Sequence, residues 1–201
     1  MNTPEQRKEL MRKIKDEVVA FKRSPLYEFR IKNKNYPVIG EGSHFARVMF
    51  IGEAPGKNEA ETGRPFCGAS GRILDQLLEH INVKREDVYV TNIVKDRPPE
   101  NRDPTPEEIE LYGPFLDRQI EIIQPKVLAT LGRFSMSYIM KKFDLDLELD
   151  SISKIHGKMF EAKAGFGPIK IVPLYHPAVA VYSGGNTEGL KKDFEILKTM
   201  L

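Results

Sequence analysis

The amino-acid sequence predicts an α/β protein: a three-layer α/β/α sandwich with a central four-stranded, mainly parallel sheet. Two observations predict it. Four short apolar runs each give way to a Gly- or Pro-bearing turn and then to a segment with helical spacing, the alternation expected of parallel strands joined by helical crossovers. The chain has 201 residues, 40% hydrophobic and 30% charged, enough for one substantial core and too few to promise two. Residues 1–201 are therefore expected to form a single domain.

Each element follows from its local pattern. Thr3 to Phe21 places Leu10, Ile14 and Val18 at helical spacing among many charges, an amphipathic helix. Residues 22–45 carry Pro25, Pro37, Gly40 and Gly42 and read as irregular structure. The first strand is Arg47–Gly52, followed by the Pro55-Gly56 turn and, from Ser70, a helix with Ile73, Leu74, Leu77 and Leu78 on one side. Val88–Val94 is the second strand. A proline-rich loop then leads to a helix through Ile123, with Thr105 as N-cap and Pro106 at its first position. Lys126–Leu131 is the third strand, with a helix from Gly132 to Phe143. Ile169–Tyr175 is the fourth, interrupted by His176-Pro177 and followed by a closing helix from Glu188 to Leu201.

Composition narrows the function classes. No apolar run is long enough for a bilayer span or a secretory leader, so a soluble, cytoplasmic protein is expected. A single cysteine, Cys67, excludes an intrachain disulfide and any metal site built from several thiolates. The balance of 31 Lys+Arg against 29 Asp+Glu, net +2, is compatible with a polyanionic partner without requiring one.

Ligands of open α/β sheets bind beyond the carboxyl ends of the strands, and the informative motifs fall there. Gly52-Glu53-Ala54-Pro55-Gly56 can aim backbone N–H groups at an acceptor, although taken alone it is better read as an ordinary tight turn after a buried strand. In Gly63-Arg-Pro-Phe66-Cys-Gly68-Ala-Ser-Gly71 the Phe66 ring is either core or a platform for a planar ligand. The stiff loop Lys95-Asp-Arg97-Pro-Pro-Glu-Asn-Arg102-Asp-Pro has cations for phosphate, or is simply a solvated loop. The stretch from Lys154 through His156 and Lys158 is similarly basic. His176, released by Pro177 at a strand end, stands where a catalytic side chain is expected.

Together and in this order, Gly-Glu-Ala-Pro-Gly, Gly-Arg-Pro-Phe-Cys-Gly-Ala-Ser-Gly, Val-Thr-Asn-Ile-Val-Lys-Asp-Arg-Pro-Pro-Glu-Asn-Arg-Asp-Pro and His-Pro-Ala resemble the motif series of family 4 of the uracil-DNA glycosylase superfamily. The resemblance runs from about Phe21 to the C-terminus. It implies the uracil-DNA glycosylase-like fold and hydrolysis of the N-glycosidic bond of a flipped-out deoxyuridine in base-excision repair. Glu53 and His176 would be catalytic: Glu53 positions water, and His176 donates toward uracil O2. Gly52, Ala54, Phe66 and Asn92 would bind the base, with Phe66 stacked on uracil and Asn92 on its Watson–Crick edge. Lys95, Arg97, Arg102, His156 and Lys158 would meet DNA, and Val179, Ala180, Val181 and Tyr182 would fill the gap left in the duplex. The implied partner is uracil-containing DNA, single- or double-stranded; a monomer is expected, since one cleft suffices for an enzyme of this size.

The sequence departs from the family at its iron-sulfur cluster. Phe21, Ser24, Asp96 and Tyr112 occupy the positions of the four cluster cysteines, and none is a thiolate ligand. A cofactor-free, metal-free protein is expected, with packing and hydrogen bonds tying the N-terminal segment to the loop after Asn92. Two other functions fit the motifs: a glycosylase for another deaminated or 5-substituted base, and a noncatalytic DNA-binding relative.

Overall fold

In the computed structural model of the protein, which describes residues 2–184 and 187–200, the first helix, α1 (Pro4–Val19), opens on a capping box in which Thr3 and Gln6 satisfy each other's backbone N–H groups. Its Met11, Ile14 and Val18 lie at helical spacing and are buried. The segment read as irregular contains a short helix, α2 (Tyr27–Lys32), and a two-residue strand, β1 (Glu41–Gly42). There follow β2 (Val48–Gly52), α3 (Lys57–Thr62), α4 (Ala69–His80), β3 (Tyr89–Asn92), α5 (Pro106–Ile123), β4 (Val127–Leu131), α6 (Arg133–Lys142), α7 (Ile152–Ile155), β5 (Phe160–Ala164), β6 (Gly167–Leu174), α8 (Ala178–Tyr182) and α9 (Glu188–Lys198). Thr105 caps α5 reciprocally with Glu108, as the Thr-Pro-Glu-Glu run requires.

The sheet has six strands, not four, in the order β1-β3-β2-β4-β6-β5. The four expected strands form its parallel centre, and β1 and β5 pair antiparallel on the two edges. Both additions escape a hydrophobic pattern for physical reasons. β1 is two residues long, and β5 (Phe-Glu-Ala-Lys-Ala) is an edge strand with exposed charges at alternate positions. Every residue of β2, β3 and β4 is buried, because helices cover both faces. One face packs Ile14, Val18, Leu116, Ile120 and Ile139 from α1, α5 and α6; the other packs Leu74, Leu77, Phe194 and Leu197 from α4 and α9. This is the expected three-layer arrangement, and it sends the carboxyl ends of β2, β3, β4 and β6 to one edge.

Candidate active site

At that edge Gly52 pairs in register with Asn92. A Cβ on Gly52 would collide with Asn92 Oδ1 and stand 2.7 Å from Phe66 Cζ, so only glycine lets the amide and the ring share this space. Phe66 itself has φ +47°, left-handed backbone that a bulky residue adopts only when its surroundings hold it there. Gly71 in the first turn of α4 admits the Phe66 carbonyl, which a Cβ would strike. The Phe66 ring lies 5.6 Å from the His176 ring at 30°. Both rings line a cavity of about 240 Å³ that is also bordered by Glu53, Ala54, Asn92 and Asn101. Drug-sized ligands fill roughly 300–1,000 Å³, so this volume suits a single heterocyclic ring.

The polar groups around the cavity are tuned by burial. His176 Nδ1 accepts the Ala178 N–H at 3.1 Å, so the proton of the neutral ring resides on Nε2. Burial pushes the imidazole down to about 4, against a smaller opposing pull from the Glu59 carboxylate. His176 is thus a neutral donor at physiological pH. Burial first, and Asp103 second, push the Glu53 carboxyl up to about 7, with Arg133 opposing. Arg133 is itself paired with Asp103. Asn92 is buried, and among the described residues no protein group hydrogen-bonds its side-chain amide. It offers a donor and an acceptor side by side at the cavity wall.

The structure brings together Glu53, Ala54, Phe66, Asn92, Arg102 and His176, with Gly52 behind them. Arg102 forms a two-pronged pair with Glu108 at 2.6 and 2.9 Å and borders the cavity mouth. Arg97 bonds Asn101 Oδ1 at 2.6 Å, and Lys158 is exposed. Val179, Val181 and Tyr182 project from α8, Tyr182 being 89% exposed.

Two expected DNA contacts are corrected. Lys95 is fully buried, its ammonium bonded to Thr91 Oγ1, the Asn92 carbonyl and Gln119 Oε1 at 2.6–2.8 Å, so it braces the chain behind Asn92. Burial lowers its pKa well below the usual lysine value. Ala180 is also fully buried, turned into the core while its neighbours on the short helix point outward. His156 lies outside the cavity lining: it bonds Asp193 at 2.7 Å and packs its ring 4.3 Å from Tyr175. Glu59, Ser70 and Asn101 line the cavity although sequence reasoning did not select them. For Ser70 the Gly-rich motif was a signal; for Glu59 nothing local was.

Phe21, Ser24, Asp96 and Tyr112, scattered over 92 positions of sequence, meet in one buried node. The Tyr112 hydroxyl bonds Asp96 at 2.6 Å and Ser24 Oγ at 2.9 Å. Arg30 pairs with Asp96 at 3.1 Å, both side chains buried, and donates to the Val18 and Val19 carbonyls at the end of α1. Phe21 packs edge-on against Tyr112 and Phe115. Burial raises the Asp96 pKa, while Tyr112 and Arg30 pull it back. The N-terminal helices are thereby tied to the loop after Asn92. The donor set, a phenyl ring, a hydroxyl, a carboxylate and a phenol already bonded among themselves, does not fit an iron-sulfur cluster. The chain has one cysteine, and among the described residues no group of three or more His, Cys, Asp or Glu is arranged to hold a metal ion. No helix among them is long and apolar enough to cross a membrane.

The carboxyl edge of the parallel sheet thus carries a cavity the size of one ring, lined by a histidine, a raised carboxyl and an amide with no protein hydrogen-bond partner among the described residues. Residues 39–198 match the Uracil DNA glycosylase superfamily, and the chain belongs to it. Within that superfamily it is 44% identical to a type-4 uracil-DNA glycosylase of Sulfurisphaera tokodaii over 191 residues, 94% of this chain and 84% of the relative. It is 44% identical to that of Archaeoglobus fulgidus over 164 residues (82% and 81%), and 39% identical to that of Thermotoga maritima over 180 (90% and 88%).

Proposed function

We infer that the protein is a uracil-DNA glycosylase, a hydrolase that releases uracil from DNA and leaves an abasic site for base-excision repair. The observation that carries this reading is the Asn92 amide, without a protein hydrogen-bond partner among the described residues, lining one ring-sized cavity together with Phe66 and His176. An amide there donates to uracil O4 and accepts from N3–H, a pattern that cytosine reverses. Phe66 stacks on the extruded base, a sequence-tolerant contact that leaves selectivity to Asn92.

In the reaction the N1–C1′ bond breaks with its electron pair passing to uracil, whose charge gathers at O2. The neutral His176 supplies the Nε2–H donor there, and the backbone from Gly52 to Ala54 lies beside it. The sugar becomes oxocarbenium-like, and the Glu53 carboxylate supports that charge and orients the water that adds at C1′. Exposed Val179, Val181 and Tyr182 occupy the gap in the duplex, with Arg97, Arg102, His156 and Lys158 on the phosphates. One domain, acting as an intracellular monomer on single- or double-stranded DNA, suffices for this.

The same reading holds that the protein works without an iron-sulfur cluster, the Ser24–Asp96–Tyr112–Arg30 node tying together what a cluster would tie. The test of function is base release from oligonucleotides carrying uracil, hypoxanthine, xanthine or 5-hydroxymethyluracil, single-stranded and paired. Uracil is expected to be released from single strands and from U·G and U·A pairs, and Asn92→Asp to move activity toward cytosine. Undiminished uracil release by Asn92→Asp with no new cytosine activity would overturn the assignment.

A further inference from the structure

We propose that Glu59 is a positioning residue for this reaction, its carboxylate clamping the loop that holds the Phe66 ring over the cavity. The proposal rests on the reading of the cavity as the uracil site. Glu59 is the third residue of α3, where a glutamate commonly turns back to cap its own helix. It does not do so here: Gly56, the N-cap, receives no side-chain bond. Instead Glu59 Oε1 accepts the N–H groups of Cys67 and Gly68, both at 2.9 Å, fixing the two peptides that follow Phe66. These are charge-assisted bonds, roughly twice as strong as neutral ones.

The clamp is needed because Phe66 is in the left-handed region, a strained backbone conformation for a non-glycine residue that persists only when its surroundings hold it. Gly52 and Gly71 only leave room for that conformation. Glu59 opposes its relaxation, which would swing the ring away from His176. A displacement of about 1 Å in a positioning group can cost on the order of 10²-fold in rate. Glu59 therefore acts through Phe66, and its effect should fall on the committed step more than on DNA affinity.

Cys67, the protein's one cysteine, lies inside the clamp with its sulfur 3.3 Å from Thr62 Oγ1, and so reports on the loop directly. The experiment compares wild type, Glu59→Ala, Glu59→Gln and Glu59→Asp in three measurements: reaction of Cys67 with an aromatic disulfide reagent, single-turnover uracil release, and affinity for an oligonucleotide with an abasic site. Glu59→Ala is expected to speed thiol reaction on the order of tenfold as the loop opens. It should slow uracil release on the order of 10²-fold and change product affinity less than about threefold. Glu59→Gln keeps an oxygen that can accept both N–H groups and should restore both rates to within about fivefold of wild type. Should Glu59→Ala fail to fold, Glu59→Asp, too short to reach both N–H groups, carries the same expectations. Unchanged thiol reactivity in the truncated variant, or uracil release near wild type with an opened loop, would overturn the proposal. Failure of the wild type to release uracil at all would instead count against the functional reading, while the thiol comparison still decides the clamp.

Discussion

The cavity and the node stand four residues apart along the chain, at Asn92 and Asp96, and they treat polar groups in opposite ways. In the cavity the Asn92 amide has no protein partner among the described residues, the Glu53 carboxyl is held near neutrality, and Phe66 is kept in strained backbone. In the node the Asp96, Tyr112 and Ser24 oxygens and the Arg30 guanidinium bond one another, and Arg30 also donates to the Val18 and Val19 carbonyls. The first arrangement stores binding capacity for a ligand at a cost in stability; the second is closed to ligands and holds two parts of the chain together. Lys95 joins them, its ammonium on the Asn92 carbonyl and its neighbour in the node. Changes in the node should therefore be read in stability, and changes in the cavity in rate.

The largest expected effect is on the node. Arg30→Met removes the partner of a buried carboxylate, and breaking such a pair costs about 3–5 kcal/mol. A denaturant titration should show that loss, while protein still folded releases uracil at nearly the wild-type rate; a large rate loss with little loss of stability would invert the comparison. His176→Ala should do the reverse. Removing one donor to a developing oxyanion costs about 10²–10³ in rate, and single-turnover kinetics should show this with a melting curve close to wild type.

Tyr112→Phe is milder. It deletes the hydroxyl that bonds both Asp96 and Ser24, and leaving buried partners short costs about 1–3 kcal/mol.

The smallest effect is a dependence on pH. The Glu53 pKa is about 7 in the fold against an ordinary 4.5, so the native state retains a proton that the unfolded chain has lost. Its contribution to stability is full below pH 4.5 and is lost as pH rises through 7. Glu53→Gln should therefore gain stability over wild type above about pH 7 and none well below pH 4.5, seen by melting on the two sides of this window. The proposed mechanism uses Glu53 as the carboxylate, so the wild-type cleavage rate should climb through pH 7. His176, lowered to about 4, adds no limb above pH 5.

The sequence disclosed most of this framework because its signals are local. Thr105-Pro106-Glu107-Glu108 states a helix start in four residues, and the apolar runs of β2 and β4 read directly as buried strands. The four exchanged cysteine positions were legible only through the motif series; no spacing within the chain says that Ser24 and Tyr112 meet. Partners far apart in sequence hid the rest. Lys95 reads as a solvated cation until Gln119, on α5, is seen to meet it. Glu59 reads as a helix-capping glutamate until the Phe66 loop folds over it, and five residues of α8 are too few to reveal by period that Ala180 alone turns inward.

On the proposed reading, a hydrogen-bonded node holds the uracil-excision site in place without a cluster. This is tested most directly by single-turnover uracil release from a single-stranded oligonucleotide, on protein whose iron content is measured in the same preparation, with and without chelator. Full cleavage by iron-free protein, indifferent to chelator, is the predicted result. Cleavage that rises and falls with bound iron, or that chelator abolishes, would contradict it.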